Sequence, residues 1–161
     1  MSETQLSLHF PPAIARQVIV FLRHARTASL ATTADDGTPH AANVQFAHDD
    51  DLHFYWVSSP ESAHSRYIAA REQAAMTVYG HDDRPLNIHG LQMHGRAVLV
   101  EAEFDRHRAW NAFVDKFADI AENPRFRELI DAQQFYRFQP TWVRWIDNRR
   151  GFGFKVEAML K

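Results

Sequence analysis

The sequence predicts a mainly β protein: an antiparallel sheet, curled or closed into a small barrel, with helices inserted between strands. Three observations carry that reading. From Ser29 onward apolar and polar residues alternate, as in "ANVQF", where Ala42, Val44 and Phe46 face one way and Asn43 and Gln45 the other. Turn signals at Asp36-Gly37 and in the acidic run 49–51 separate consecutive strand-length stretches. Helices do not alternate regularly with these strands, so the crossovers that a parallel sheet needs are missing.

Each element follows from its own pattern. A helix is expected over 12–26, opened by prolines that suit a first turn and carrying Ile14, Val18, Leu22 and Ala25 on one face. Strands follow from Ser29 to Ser58, broken by the two turns. Ser62 then offers an N-cap for a short helix in "ESAHSRYIAAREQ". "AAMTVYG" and "LQMHGRAVLVE" read as two more strands, joined by the polar loop "HDDRP". The stretch "EFDRHRAWNAFVDKFADIAENP" predicts one helix with Trp110, Phe113, Phe117 and Ile120 in a stripe, stopped before Pro124, and "RFRELIDA" a second. "FYRFQPTWVRWI" and "FGFKVEAML" supply the last strands, flanking a glycine-permitted turn in "DNRRGFGFK". The expected organisation is one domain over 1–161: the N-terminal helix, barrel strands 29–100 and 135–160, and a helical insertion at 104–133.

Composition narrows the function classes. A net charge of −2 gives no global attraction to nucleic acid or to an anionic membrane, so any affinity for anions has to be local. With no cysteine there is no disulfide, thiolate nucleophile or cysteine-ligated zinc. The N-terminus lacks the basic start and apolar run of a secretory signal, and no apolar stretch approaches a membrane span, so a cytoplasmic protein is expected. No GxGxxG, P-loop, HExxH or GxSxG occurs. Ten histidines invite a metal, but His89 and His94, five apart, fall on opposite strand faces, and no metal site is expected.

Polar residues in "FYWVSSPESAHSRYIAA" form the leading candidate site. A strand ends at Ser58 and a helix starts at Ser62, with His64 and Arg66 in its first turns. Hydroxyls and an imidazole there suit a phosphate, because orphan amides and the helix dipole favour an anion. An ordinary N-cap with solvated neighbours explains the same residues. Asn43 and Gln45 could read the edge of a heterocycle or face solvent. Gln92 could point into the same groove, or Gly90 and Gly95 could mark bends in a long strand.

Taken in order, "SLATT-x-DDG-x-PHAANVQF", "LHFYWVSS-x-ESAHSRYI", "AAMTVYG", "GLQMHGRAVLVE" and "W-x-DN-xx-GFGFK" resemble the FMN-binding split barrel of the pyridoxamine 5′-phosphate oxidase-like superfamily, over nearly the whole chain. "IDNRRGFG" is closest to a branch of small bacterial members. The resemblance implies a six-stranded antiparallel split barrel, a homodimer and two FMN sites at the subunit interface. Asn43, Val44, Gln45 and Phe46 would contact the isoalloxazine edge through backbone and side chains. Ser58, Ser62 and His64 would hold the FMN phosphate, and Gln92 would line the same pocket. Trp145 and Asp147, with the "GFGF" hairpin, would come from the partner subunit or line the substrate side. Many members carry a lysine or arginine where His64 stands, and Arg66 or Arg71 is positioned in sequence to compensate. The function implied is a flavin-dependent oxidoreductase acting on a small molecule, with a nicotinamide donor as one hydride source. Arg96, Arg144 and Lys155 are candidates for balancing charge on the reduced flavin. Two other functions remain open: haem binding or degradation, known in some split-barrel relatives, and a flavin-binding module without catalysis.

Overall fold

A computed structural model describes residues 9–80 and 84–160. Residues 1–8, which begin the stretch read for a leader, and 81–83 of the "HDDRP" loop lie outside the described residues, as do the side chains of Asp119 and Ile120.

The element order follows the alternation of periods. Helix α1 runs Pro12–His24 and buries Ile14, Ala15, Val18, Ile19 and Leu22. Strands β1 (Thr27–Thr33), β2 (Pro39–Gln45), β3 (Ala47–His48) and β4 (Phe54–Ser58) come next, then α2 (Ala63–Ala70) and β5 (Gln73–Tyr79). β6 (His89–Leu99) precedes the insertion of α3 (Glu103–Lys116), α4 (Ala118–Ala121) and α5 (Pro124–Asp131). β7 (Gln134–Asp147) and β8 (Lys155–Met159) close the chain. Gly37, at φ 88°, supplies the left-handed residue of the β1–β2 turn without the steric cost of a side chain.

All eight strands form one antiparallel sheet in the order β2-β1-β5-β6-β7-β4-β3, with β8 added to β7. That is two more strands than the resemblance implies, because β2 continues past Phe46 as the two-residue β3 and the hairpin adds β8. The curl follows from connectivity. β2 stands at one end of the order and β3 at the other, yet only Phe46 separates them. A sheet whose two ends lie one residue apart has to bend back on itself. Phe46 is fully buried at this seam, and its amide donates to the Arg26 carbonyl at 3.1 Å.

β7 is forked. Its first half pairs with β4, from Gln134 to Phe138, and its second half with β8, from Trp142 to Ile146. Pro140, which has no N–H to give, sits in the gap between the two partners. On the other edge the register with β6 slips between His94 and Gly95, a bulge. A Cβ on Gly95 would lie 2.1 Å from the Gln139 carbonyl oxygen, so the close approach there requires glycine.

Inward residues of the strands make the main core, with Leu30, Met76, Met93, Val143, Phe54 and Trp56 among them, and α1 packs into it. Trp56 stacks on Tyr136 at 5.6 Å between centroids. A second cluster forms outside the barrel, where Phe113, Phe117 and Ile130 of the insertion cover Tyr55 and Phe135. The expected continuous helix over this segment is interrupted. Phe117 leaves helical geometry (φ −115°, ψ 35°) and turns its ring into the second cluster, so α3 ends at Lys116 and α4 restarts after it. Lys116 fastens the same joint, donating to the Leu22 carbonyl at the end of α1 with its ammonium 4.4 Å from the Phe46 ring centre. Among the described residues no helix is long and apolar enough to cross a membrane.

Candidate functional site

The N-terminus of α2 gathers the polar residues that the sequence singled out. Ser62 caps the helix, its Oγ accepting from the Ser65 amide at 3.4 Å. Ser58 Oγ lies 3.1 Å from Ser62 Oγ and 2.9 Å from His64 Nε2, while Ser62 Oγ is 3.2 Å from the same nitrogen. Ser62 Oγ also donates to Ser65 Oγ at 2.8 Å. Ser65, a buried third hydroxyl, escaped the sequence reading, although its i+3 spacing from the cap is visible. Burial lowers the pKa of His64 below 6.5, and the charge of His40 lowers it further. His40, on β2, packs edge-on against Tyr67 of α2 at 5.6 Å, so this cluster stands at the barrel rim where β2 begins. Arg66 is engaged by the Glu61 carbonyl, and Arg71 caps the far end of α2; neither joins the cluster in this arrangement.

From that rim the outer face of the sheet runs across β2, β1, β5, β6, β7 and β8. Cross-strand register places Asn43, Ser29, Thr77, Gln92, Arg144 and Glu157 in one transverse row. Ser29 donates to Asn43 Oδ1 at 2.9 Å, and Arg144 reaches Gln92 Oε1 at 3.3 Å and Glu157 Oε1 at 2.9 Å. Arg144 also lies over the Trp142 ring at 4.9 Å, so its guanidinium is fixed on three sides. Next to this row Ala41, Ala31 and Ala75 stand in line, a flat strip without projecting side chains. Asn43 and Gln92 therefore share a face, which periodicity alone could not settle. Ser29 and Thr77 join them only through register, and no local sequence signal marks them.

The remaining predicted residues lie elsewhere. Val44 and Phe46 have their side chains buried inward, and Gln45 is exposed beside Thr27. Trp145 and Asp147 are buried at the opposite end of β7 from Gln134, the residue that pairs with Ser58. One chain thus does not unite them with the serine cluster. Burial opposes the charge on Asp147, but Arg149 outweighs it through bonds of 2.7 and 3.0 Å, so the pKa is lowered. With Phe21 of α1, these residues line a cleft of about 1190 Å³.

Asp49, Asp51 and His53 also converge, their ligand atoms within 4.8 Å of one another. Arg108 already bridges both carboxylates at 2.7 and 2.6 Å, and Asp49 further accepts from Tyr55 at 2.8 Å. This cluster ties the insertion to the β3–β4 turn.

The family model for pyridoxamine 5′-phosphate oxidase matches residues 14–147. No curated protein matches the chain. Among solved structures, a haem-binding protein from Mycobacterium smegmatis superposes with a TM-score of 0.70 at 20% identity, covering 86% of this chain and 56% of that one. The conserved hypothetical protein Rv2991 from Mycobacterium tuberculosis gives 0.71 at 19%, covering 84% and 85%. General Stress Protein 26 from Bacillus anthracis gives 0.62 at 18%, covering 90% and 97%. At these identities the likeness is one of fold.

Proposed function

The chain belongs to the pyridoxamine 5′-phosphate oxidase family, and from that premise we propose that it binds FMN between two subunits and serves as a flavin-dependent oxidoreductase on a small molecule. The observation that carries this reading is the cluster of Ser58, Ser62, Ser65 and His64 at a helix N-terminus, beside a strip of alanines. Hydroxyls that bond one another can turn their donors to a phosphate, and the helix end favours the negative charge. A planar ring can lie on Ala31, Ala41 and Ala75, where larger side chains would stand in its way. These residues fit the cofactor.

FMN, when bound, supplies the ring that accepts and gives up hydride. The chain holds and orients it. Asn43 and Gln92 offer amides to the heterocycle edge, and Arg144, held by Glu157 and Gln92, presents a fixed positive charge on the same face. His64, whose pKa burial and His40 lower, would meet a phosphate dianion whose charge favours its protonated, donating form. Trp145 and Asp147 would come from the second subunit, which explains why one chain leaves them at the far end of β7.

The second subunit has its own support. Trp142 and Ile146 are half-buried on the bare outer face, and Tyr79 and Met159 are exposed there. Aromatic and apolar residues on one uncovered face are what an interface core contains. The test is direct. The purified protein should be a yellow dimer that releases FMN on denaturation, and Ser58→Ala with His64→Ala should weaken FMN at least about tenfold, the loss of a charge-assisted hydrogen bond, while leaving riboflavin unaffected. A colourless protein that takes up neither flavin would end this reading.

A further inference from the structure

We propose that His40 joins His64 in holding the FMN phosphate, and that this pair of imidazoles couples cofactor retention to proton uptake, so that FMN is held more loosely as pH rises. This role rests on the FMN reading above, to which it adds a ligand and a form of regulation.

A strand and a helix bring the pair together. His64 lies in the first turn of α2, just after the Ser62 cap, and Tyr67 follows three residues on, on the same helix face. His40, the second residue of β2, packs edge-on against that tyrosine at 5.6 Å, and its charge reaches His64. His64 Nε2 faces the serines, 2.9 Å from Ser58 Oγ and 3.2 Å from Ser62 Oγ. The other charged groups nearby are placed otherwise. Arg66 donates to the Glu61 carbonyl, Arg71 sits at the far end of α2, and the Glu61 and Asp35 side chains are exposed. Asp36 accepts from the Thr38 amide in the β1–β2 turn, while on β6 Arg96 is tied to Glu72 and His94 stacks on Trp142. β1 and β4 carry no charged residue. Among the described residues, no lysine or arginine bonds into the serine cluster. The charge that meets a phosphate there has to come from imidazole.

The cluster is short of one proton. Ser62 Oγ gives its own to Ser65 Oγ, so of the two serines bonded to His64 Nε2 only Ser58 can donate to it. While Nε2 is bare, that bond occupies the Ser58 proton, and the trio turns no donor to a ligand. A proton on Nε2 reverses the bond. The imidazolium then donates, Ser58 is released to donate as well, and the ring gains the charge that a dianion selects. In the empty site burial, and then the charge of His40, hold the pKa of His64 below 6.5. A phosphate between the two rings replaces that repulsion with attraction and raises it. Binding therefore takes up protons, and by linkage affinity falls as pH climbs through the pKa of the complex. A lysine or arginine at the same place would stay charged and give a flat profile.

The experiment titrates FMN and riboflavin into the full chain freed of flavin, above the second ionisation of the phosphate at about pH 6. FMN should bind at least about fivefold more weakly at about pH 8.5 than at about pH 6.5. Calorimetry in buffers of different ionisation enthalpy should show net proton uptake with FMN and none with riboflavin. His64→Lys should keep FMN bound and remove the pH dependence. His40→Asn should weaken FMN at the lower pH at least about threefold and reduce the proton uptake. His107→Asn, at an exposed histidine of α3, should change neither. FMN bound equally at both pH values, or without proton uptake, overturns the proposal and leaves the FMN reading standing. So does a pH dependence that riboflavin shares, because it would not come from the phosphate. A tighter complex in His40→Asn would mean that His40 only repels its neighbour, and removes it from the site. A chain that takes up neither flavin ends both readings.

Discussion

The two halves of the barrel's outer face differ in what covers them. On β4 and the first half of β7, outward positions carry Tyr55, Val57 and Phe135, and the insertion α3–α5 packs on them. On β1, β2, β5 and β6, the outward positions are Ala31, Ala41, Ser29, Asn43, Thr77 and Gln92, all exposed or half-buried and outside the cluster that the insertion covers. The same alternation that fills the core on the inside thus writes two kinds of outside. Large apolar outward residues mark a face that the chain itself covers. Small and polar ones, interrupted by Trp142, Ile146 and Met159, mark the face on which the proposed function seats the flavin and the second subunit.

The sharpest way to break this contrast is on the covered half. Phe113→Ala removes a buried ring from the second cluster and should cost about 3–5 kcal/mol, read by denaturant unfolding. If it costs no more than Ala31→Ser on the bare half, the division between the halves is wrong. On the bare half the expected effect is on binding. Ala75→Arg should abolish FMN uptake while changing the free energy of unfolding by less than about 0.5 kcal/mol, the usual range for a surface change. FMN affinity equal to that of the wild type would remove the alanine strip from the site.

The smallest effect is a pH slope. Burial, aided by the charge of Lys116, pushes the pKa of His48 down to about 4, beside the covered half. A depressed folded-state value means that the unfolded chain binds the proton more readily. Stability should therefore be full above about pH 6.5 and fall as pH drops toward 4. His48→Asn should flatten that slope, measured as the midpoint of thermal unfolding against pH; an unchanged slope would assign it to other groups.

Much of this was legible where the signal is local. Apolar spacing places α1, Asp36-Gly37 places the β1–β2 turn, and Ser62 places the cap of α2. The cluster of Ser58, Ser62 and His64 follows from the same short stretch. What stayed hidden depends on register or on long-range packing. Phe117 leaves its helix because the second cluster rewards its ring, and that cluster is assembled from strands distant in sequence. Asn43 meets Gln92 in one row only because β1 and β5 lie between them. Arg16, Arg84 and Arg150 look like scattered solvated charges until α1 is laid against the end of β7.

The sheet leaves three strand margins without a neighbour: β2 beyond β1, the two-residue β3 beyond β4, and β8, which the fork in β7 adds, beyond β7. Bare amides and carbonyls along such margins can recruit strands from other molecules and seed insoluble assemblies. Pro39 opens the β2 margin and offers no amide there, β3 is only two residues long, and Lys155 and Glu157 set charge along the β8 margin. The opening that gives the barrel its split form is thereby kept from becoming a point of polymerisation.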